Sequence, residues 1–340
     1  MPTIVPYCGD LETSAAVAQV AASGRHVVAA WLETGAEEPL DSAIVARRAR
    51  ALGAQEAVSR DVRGKVYGGL LVRLIRASGP GAEVPIPWLA AEDTGRAEGL
   101  LELAKERKAG TVALVDGALA QALEVRAPAG VRIERLRIDD PEGFLVAQGL
   151  SDEVPPPNDE GDFRVHASLW GALIRGGELE GSWDEVPEDA YPTLAPPAEA
   201  ADLPEEFELS FENGLPGGLA GAPPDGVNLF TQLNRIGRRH SIGRGVRIEP
   251  GGGRLAWEAP AAAILVAAHD ALERMLMSPP RRELKLRLAA TYRELFADGD
   301  LHLPLAQDLE AFLTSSQRGL TGTVRVQVYR GLVEIMGVQA

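Results

Sequence analysis

The sequence predicts an α/β fold, a doubly wound parallel sheet in the first half, followed by an α+β domain. Strand-like and helix-like patterns alternate through the first 148 residues. Continuous apolar runs such as HVVAAWL at 26–32 are typical of strands that are covered on both faces. The polar stretch 152–162, DEVPPPNDEGD, cannot continue a helix or a central strand. We therefore expect domains at 1–151 and 163–340, joined by a linker at 152–162.

The first β-α-β unit is predicted from the opening 32 residues. A short apolar strand at 3–7 is followed by an Ala- and Val-rich helix at 11–22, and Gly24 is its expected C-terminal cap. The strand at 26–32 completes the unit. Asp41–Leu52 then begins with capping residues and places its apolar residues on one side, which predicts a second helix.

The rest of the first half continues the same alternation. We predict a weak strand at 54–58, a helix at 63–76, a break at 78–81, a helix at 90–108, strands at 111–115 and 131–138, and a helix at 141–148. In such a sheet, ligands bind outside the carboxyl ends of the strands. The loops after strands 3–7, 27–32 and 111–115 are therefore expected to line the ligand crevice.

The second half has a mixed pattern. It predicts a strand at 207–211, a turn at 213–218, helices at 227–235, 261–277, 282–296 and 307–312, and a terminal hairpin of 323–329 with 332–336. These elements indicate an α+β domain.

Charge and cysteine content exclude several classes of protein. The chain has 34 Lys and Arg against 49 Asp and Glu, a net charge of −15, which opposes binding to nucleic acid or to an anionic membrane surface. Cys8 is the only cysteine, so neither an internal disulfide nor a thiolate zinc cluster is possible. The apolar run 259–268 is too short to span a membrane. We expect a cytoplasmic protein without nucleic-acid or membrane partners and without a metal site.

The stretch Thr3–Ser14, TIVPYCGDLETS, has two interpretations. An apolar strand, a turn at Gly9 and a helix opened by Thr13 and Ser14 would form a phosphate cradle, because a helix N-terminus leaves backbone N–H groups unpaired. The same residues also describe an ordinary strand, turn and helix cap. The stretch alone does not distinguish these alternatives.

Four stretches of the second half carry a resemblance to a known family. They are SLWG with GGELE within 168–180, LNRIGRRHSIGR at 233–244, ILVAAHDALE at 264–273 and SQRGLTGTVR at 316–325. In their order and nearly in their spacing, they resemble argininosuccinate synthases. Each is weak alone, but together they are specific.

This resemblance implies an adenine nucleotide α-hydrolase-like domain with a pyrophosphate loop, followed by a synthetase domain. In the family, ATP adenylates the ureido oxygen of citrulline, and the amine of aspartate then displaces AMP. An active member would use ATP and magnesium, and the ligand would be a nucleotide or an amino acid. The family also has a C-terminal arm beyond the hairpin that helps to build a tetramer, whereas this sequence ends at Ala340. We expect a homo-oligomer, with a dimer better supported than a tetramer.

The resemblance assigns the nucleotide-binding residues of the first loop. The family's pyrophosphate loop, Ala-Tyr-Ser-Gly-Gly-Leu-Asp-Thr-Ser, aligns without a gap with residues 6–14. Cys8 replaces its serine, Asp10 its second glycine and Glu12 its aspartate. Asp10 places a carboxylate where phosphate oxygens are expected, and its like charge opposes ATP. The implied nucleotide-binding residues are Tyr7, Cys8, Gly9, Asp10, Leu11, Glu12, Thr13 and Ser14.

Other family positions have changed more. Gly35 and Gly117 are further nucleotide-binding candidates, but the family's Gly-x-Thr-Gly-Lys-Gly-Asn-Asp loop aligns with 117–124, where only the first glycine remains. The family's Thr-Ser-Leu-Ala-Arg-Pro region falls near 87–92 and keeps neither its arginine nor its hydroxyls. For substrate, Glu249 matches the citrulline-binding glutamate, and Trp257 aligns with a tyrosine whose phenolic acceptor it lacks.

Several side chains have both a functional and a structural interpretation. Arg238, Arg239 and Arg244 would grip a carboxylate or a phosphate, or form a solvated basic turn, and Arg244 is retained as a substrate-binding candidate. His240 and His269 are possible acid–base groups or ordinary buried histidines. Cys8 at a helix N-terminus has no visible base partner. No catalytic residue is assigned.

Two functions follow from these residues. The first is an argininosuccinate-synthase-type ligase with reduced, altered or lost activity, supported by the retained loop geometry and domain order. The second is a non-catalytic paralogue that binds a metabolite or acts as a regulator or scaffold, supported by the lost glycine, lysine and arginine positions. The sequence leaves open whether the protein is an enzyme.

Overall fold

The structure is a computed structural model that describes most of the chain. The described residues are 1–35, 42–78, 88–153, 163–181, 183, 185–219 and 225–340; for Gly69 and 88–91 only the backbone is described. Asp41, Gly79–Gly81, Pro87 and most of the predicted linker therefore lie outside the described residues.

Contacts between Cα atoms divide the chain into two compact units. The first comprises Met1–Val66 and Ala90–Pro157, and the second comprises Tyr67–Leu89 and Asn158–Ala340. The segment 67–89 thus belongs to the second unit, although the segments before and after it belong to the first. We call this segment the excursion; the sequence does not predict it. The boundary at 152–162 stays a prediction.

A five-stranded sheet forms the centre of the first unit. Its order is β3-β2-β1-β4-β5 and all neighbours are parallel. The strands are β1 Thr3–Pro6, β2 Val27–Glu33, β3 Glu56–Asp61, β4 Thr111–Leu114 and β5 Arg132–Arg135. The direction of winding reverses between β1 and β4, so the predicted doubly wound parallel sheet is confirmed.

Helices cover both faces of this sheet because apolar side chains alternate along β1. Val5 packs in a core with residues of α1 and α2, whereas Ile4 packs in the core formed with α5 and α6. The helices up to the end of this unit are α1 Leu11–Ala22, α2 Ser42–Ala51, α3 Arg63–Val66, α4 Val72–Arg76, α5 Trp88–Arg107, α6 Gly117–Arg126 and α7 Pro141–Ala147.

Three predictions in the first half are corrected, and one helix was not predicted. Helix α1 begins at Leu11, so Thr13 and Ser14 lie in its first turn and do not open it. The weak strand lies at Glu56–Asp61, not at 54–58. The helix predicted at 63–76 contains a π-helical turn at Tyr67–Leu71. Helix α6, which the sequence analysis did not predict, begins at Gly117.

The second unit contains two antiparallel four-stranded sheets. Their orders are β10-β11-β7-β6 and β13-β12-β8-β9. The strands are β6 Phe163–Ala167, β7 Ala172–Gly176, β8 Glu205–Glu212, β9 Leu215–Leu219, β10 Arg244–Ile248, β11 Arg254–Glu258, β12 Gly322–Tyr329 and β13 Leu332–Gln339, and the helices are α8 Gly226–Arg239, α9 Pro260–Leu276, α10 Pro279–Ala297 and α11 Pro304–Ser316. The α+β class and the terminal hairpin are confirmed. The first of these sheets was not predicted, and most of the turn predicted at 213–218 is strand β9.

The excursion after Val66 is held by contacts inside the second unit. The ring of Tyr67 packs edge-on against Phe230 of α8 at 5.6 Å between centroids. Arg73 forms an ion pair of 2.9 Å with Glu310 of α11. At the end of α4, the backbone carbonyl of Ala77 accepts a hydrogen bond from Arg293 of α10.

A buried polar network joins this excursion to the helices. The Lys285 ammonium lies 2.8 Å from Glu273 Oε1 and donates to the backbone carbonyl of Ser78 at 2.5 Å. Gln317 Nε2 donates to Glu273 Oε1 at 3.0 Å, and Gln317 Oε1 lies 2.8 Å from His269 Nε2. Lys285, Glu273, Gln317 and His269 are each 0% exposed. Such charges are tolerated in a core only when they are paired.

We predict that Lys285→Met destabilises the second unit by about 3–5 kcal/mol, because it leaves the Glu273 carboxylate buried without its cation. Lys285→Met combined with Glu273→Gln should recover part of this loss. Urea unfolding followed by hydrogen exchange of the α9 amides measures both effects. As the control, Arg287→Gln removes an exposed pair with Glu283 and should cost less than about 0.5 kcal/mol. Equal losses of stability in Lys285→Met and Arg287→Gln would contradict the prediction.

Candidate functional site

The loop between β1 and α1 is closed by the side chain of Asp10. Asp10 is the N-cap of α1, and its Oδ1 accepts hydrogen bonds from Thr13 N at 2.7 Å and Thr13 Oγ1 at 2.6 Å. Gly9 has a φ of +87°, a conformation that favours glycine. The carboxylate therefore already occupies the helix N-terminus at which an anion would bind.

Cys8 is held as a neutral thiol in the same loop. Its Sγ donates to Asp10 Oδ2 at 2.9 Å, and its backbone N–H donates to Thr13 Oγ1 at 3.3 Å. Burial and the Asp10 carboxylate raise the pKa of the thiol to about 11. A helix N-terminus would lower this pKa, but here Asp10 neutralises that effect. The structure thus favours neither a thiolate nor a nucleophile at Cys8.

The remaining loop residues divide into buried and exposed positions. Tyr7 and Ser14 are buried at 2% and 0% exposure, and burial raises the pKa of the Tyr7 hydroxyl. Leu11 packs against the core that contains α1, whereas Glu12 is exposed. Residues 7–14 therefore form the continuous loop and helix start that the sequence predicts.

The neighbouring loop, after β4, is built in the same way. Asp116 is the N-cap of α6, and its Oδ1 accepts hydrogen bonds from Ala118 N at 3.0 Å and Leu119 N at 3.1 Å. Arg96 Nη1 lies 3.5 Å from Asp116 Oδ2. Gly117 is the first helical residue and no side chain or backbone crowds the position of a Cβ there. Strands β1 and β4 flank the winding reversal, so α1 and α6 begin at the expected ligand crevice. The N-terminus of each of these helices carries a carboxylate from the same chain.

The other three loops at this edge of the sheet repeat the arrangement. The backbone N–H of Gly35, which has a φ of +101°, donates to Glu33 Oε1 at 2.8 Å after β2. Asp61 accepts from Arg63 N at 2.9 Å after β3. Asp140 accepts from Gly143 N at 2.9 Å before α7, which follows β5. At the carboxyl end of every strand of the sheet, or in the loop that follows it, an acidic side chain thus accepts a backbone N–H.

In the described residues of this edge, two helix N-termini that a nucleotide pyrophosphate could use already carry a carboxylate. The N–H groups that would bind phosphate oxygens at Thr13 and at Ala118–Leu119 are already taken by carboxylates. A triphosphate would have to displace them against like charge. Among the described residues, no group of three or more His, Cys, Asp or Glu is arranged to hold a metal ion.

In the second unit, Arg244 is bound by its own neighbours. Its Nη1 and Nη2 lie 2.9 and 3.1 Å from the two carboxylate oxygens of Glu188. Its guanidinium also lies over the ring of Tyr191, 4.1 Å from the centroid. This bidentate pair and stack occupy the groups with which Arg244 would grip a ligand.

Glu249 and Trp257 lie on the other face of the same sheet. Glu249 Oε1 lies 3.1 Å from Arg175 Nη2 and 3.5 Å from Arg247 Nη2, and the hydrogen bond from Arg175 chiefly lowers the pKa of Glu249. Trp257 pairs with Gly245, where a Cβ would come within 2.2 Å of the indole ring. The indole therefore packs across β10.

Arg244 does not share a sheet face with the other two substrate-binding candidates. Arg244 pairs with Glu258, one residue away from the Gly245–Trp257 pair, so its side chain projects from the opposite face. Glu249 directly follows the end of β10, four residues after Gly245, which corresponds to about 13 Å of extended backbone. Glu249, Trp257 and Arg244 stay predictions as substrate-binding residues.

Both histidines are buried and structurally engaged. His240, 1% exposed, ends α8 with its Nε2 3.5 Å from Glu205, to which Arg239 also pairs at 2.8 Å. His269 is part of the buried network, and burial lowers the pKa of its imidazole. These contacts agree with the structural interpretation of both residues.

Sequence reasoning missed most of the acidic side chains that accept backbone N–H groups at this edge. It identified Asp10 through the family loop but assigned no role to Asp116, Glu33, Asp61 or Asp140. A usable signal was present for Asp116 and Asp140, since each stands directly before a helix start, where aspartate is a favoured cap. No such signal existed for Arg175, which reaches Glu249 only through strand pairing.

The fold defines a class of protein. A five-stranded parallel sheet with a loop-to-helix crossover at its winding reversal, joined in one chain to an α+β unit, is the architecture of a nucleotide-binding domain with a synthetase domain. Residues 163–340 match the family model described as the arginosuccinate synthase C-terminal domain. The chain belongs to the argininosuccinate synthase family.

Individual relatives extend the match to nearly the whole chain. An argininosuccinate synthase of Dehalococcoides mccartyi strain BAV1 is 30% identical over 98% of this chain and 85% of its own length. The enzyme of that name from Symbiobacterium thermophilum is 30% identical over 98% of this chain and 86% of its own. One from Chlorobium chlorochromatii is 34% identical over 56% of this chain and 49% of its own. The resemblance found in the sequence is thus confirmed. Separately, no described helix combines the length and the apolar character that crossing a membrane requires.

We predict that Asp10→Asn lowers the pKa of the Cys8 thiol, because it removes the charge that raises this pKa while asparagine still caps the helix. The pKa should remain above its ordinary value, since burial persists. The pH dependence of iodoacetamide alkylation, followed by mass spectrometry, measures it at the single cysteine. Glu12→Gln, the same charge change at an exposed neighbour, should leave the profile unchanged. Identical profiles for Asp10→Asn and the unmodified protein would refute the effect of Asp10.

Proposed function

We propose that this protein is an argininosuccinate-synthase-type protein in which ATP-dependent ligation of citrulline and aspartate is reduced or lost. One observation carries the proposal: the Asp10 carboxylate binds the N-terminus of α1 through Thr13. The family's loop has glycine at this position. If the protein is active, ATP with magnesium would be its cofactors, as the resemblance implies.

The physical basis is competition for one anion site. Backbone N–H groups and the positive end of the helix dipole favour a phosphate at a helix N-terminus. A carboxylate in the same chain fills that position without the entropy loss of binding a second molecule. ATP must therefore displace Asp10 and also bring its phosphates close to a displaced negative charge. Both effects weaken ATP binding.

A second function, a non-catalytic metabolite-binding or regulatory protein, is favoured by the loop after β4. Asp116 caps α6 there, and the aligned residues 117–124 lack the lysine of the family's second glycine-rich loop. Without that cation, the loop offers no positive side chain to a nucleotide phosphate. The ligand in this case would be an amino acid or another small molecule, bound by a cytoplasmic homo-oligomer, with a dimer favoured.

We predict that Asp10→Gly increases the affinity for ATP about tenfold or more, because it removes both the competing cap and a like charge. Asp10→Ser should give a similar gain, since serine keeps a neutral cap. Calorimetric titration with ATP and magnesium measures this. The matched control is Glu12→Gln, which removes an exposed carboxylate in the same turn and should leave the affinity for ATP nearly unchanged. A loss of affinity in both Asp10 variants would contradict the competition.

Pyrophosphate exchange separates the two functions. The protein is incubated with ATP, citrulline and labelled pyrophosphate, and the unmodified chain is expected to exchange label slowly or not at all. Citrulline-dependent exchange at an ordinary enzymatic rate would exclude the non-catalytic function. Absence of ATP binding, even in Asp10→Gly, would exclude the ligase.

A further inference from the structure

Helices α4 and α11 of the second unit face each other through two pairs of polar side chains. Arg73 and Arg76 lie on one face of α4, one turn apart. Glu310 and Thr314 lie in the same way on one face of α11. Arg73 Nη1 forms an ion pair of 2.9 Å with Glu310 Oε2, whereas Arg76 Nη1 lies 3.4 Å from the neutral Thr314 Oγ1. A carboxylate thus matches one arginine, and only a hydroxyl matches the other.

The chain leaves Arg76 incompletely paired. Its Nε is buried and has no hydrogen-bond partner among the described residues. Burial chiefly lowers the pKa of the guanidinium; Glu310 acts in the opposite direction, and Arg73 in the same direction as burial. Because Glu310 already pairs with Arg73, two guanidinium groups share one carboxylate. A half-buried guanidinium with an unused donor is a position at which an anion forms a strong hydrogen bond.

A buried hydroxyl lies beside these charges. Tyr292 of α10 is 1% exposed, and its hydroxyl oxygen has no hydrogen-bond partner among the described residues. Burial, and after it the Glu310 carboxylate, raise the pKa of this hydroxyl to about 12, while Arg73 and Arg76 oppose the shift. The hydroxyl is therefore neutral and can donate a hydrogen bond. A buried hydroxyl without a partner costs free energy, so an acceptor from solution would recover that cost.

The same cluster reaches solvent at α11. Thr314 is exposed, and the side chains of Arg73 and Glu310 retain 33% and 30% of their accessible surface. The available donors thus extend from the buried Tyr292 hydroxyl through the Arg76 guanidinium to the exposed Thr314 hydroxyl. They come from three different helices. A phosphate group has three strong acceptor oxygens and matches three donors better than a carboxylate, which has two oxygens.

We propose that Arg76, Thr314 and Tyr292 bind the phosphate group of inorganic phosphate or of a small phosphorylated metabolite. The bound group ties α4, which belongs to the excursion, to α10 and α11. All three residues lie in the second unit, and none belongs to the loops at the ligand edge of the parallel sheet. The Asp10 experiments therefore neither support nor contradict this site.

Inorganic phosphate is the probe, titrated into the full chain by calorimetry at low ionic strength, with acetate as the carboxylate comparison. We expect saturable binding of phosphate and weaker binding of acetate. Arg76→Gln should weaken phosphate binding about tenfold, the usual effect of losing one charge-assisted contact. Glu310→Gln should strengthen it, because a like charge beside the site is removed. Phosphate should also slow hydrogen exchange of the α4 amides, since a ligand that binds only the folded state stabilises that state.

Tyr292→Phe separates binding from folding. It removes only a hydroxyl that has no partner among the described residues, so its stability in urea should equal or slightly exceed that of the unmodified protein. Its affinity for phosphate should nevertheless fall about fivefold, the effect of one ordinary hydrogen bond. The matched control for charge is Arg287→Gln, which removes an exposed arginine of α10 that pairs with Glu283 and should leave phosphate binding unchanged.

Three results would overturn the proposal. The first is absence of phosphate binding in both the unmodified protein and Glu310→Gln. The second is acetate binding as tight as phosphate binding, or equal losses of affinity in Arg76→Gln and Arg287→Gln, because such binding would depend on net charge alone. The third is a loss of stability without a loss of affinity in Tyr292→Phe, because the hydroxyl would then serve packing only.

Discussion

Backbone N–H groups at the start of a helix need acceptors, and this requirement governs the ligand edge of the parallel sheet. In this protein the acceptors are acidic side chains of the same chain. Asp10 and Asp116 cap the two helices that flank the winding reversal, and Glu33, Asp61 and Asp140 take N–H groups in the other three loops. A crevice suited by its topology to phosphate is therefore lined by negative charge.

The second unit also pairs charged side chains with one another. The cost of breaking such a pair differs between the buried core and the sheet surface. In the core, Lys285 pairs with Glu273 and binds the backbone carbonyl of Ser78 in the excursion, and removing one partner of the ion pair would leave a buried charge. On the sheet surface, Glu249 is shared by Arg175 and Arg247. Water reaches these half-buried and exposed groups, so breaking one of their pairs costs much less.

The fold was predictable where local pattern and tertiary environment agree. The residues of α1 are Ala- and Val-rich without a breaker, and its predicted bounds of 11–22 match the structure. Prediction failed for β6, β7, β10 and β11, because short strands rich in arginine and glycine lack the apolar pattern that marks a strand. It also failed for the grouping of 67–89, which depends on contacts with helices more than 200 residues away.

The sequence alone determined the family, the order of the two kinds of domain and the substitution of Asp10 for a loop glycine, since these depend only on residue identity and spacing. The tertiary structure decided what Asp10 does. Whether a carboxylate repels a ligand or replaces it depends on the direction of the side chain, and here its oxygen meets Thr13 N at 2.7 Å. The contact between Glu249 and Arg175 likewise required the strand register, because residues far apart in sequence become neighbours only through hydrogen bonding between strands.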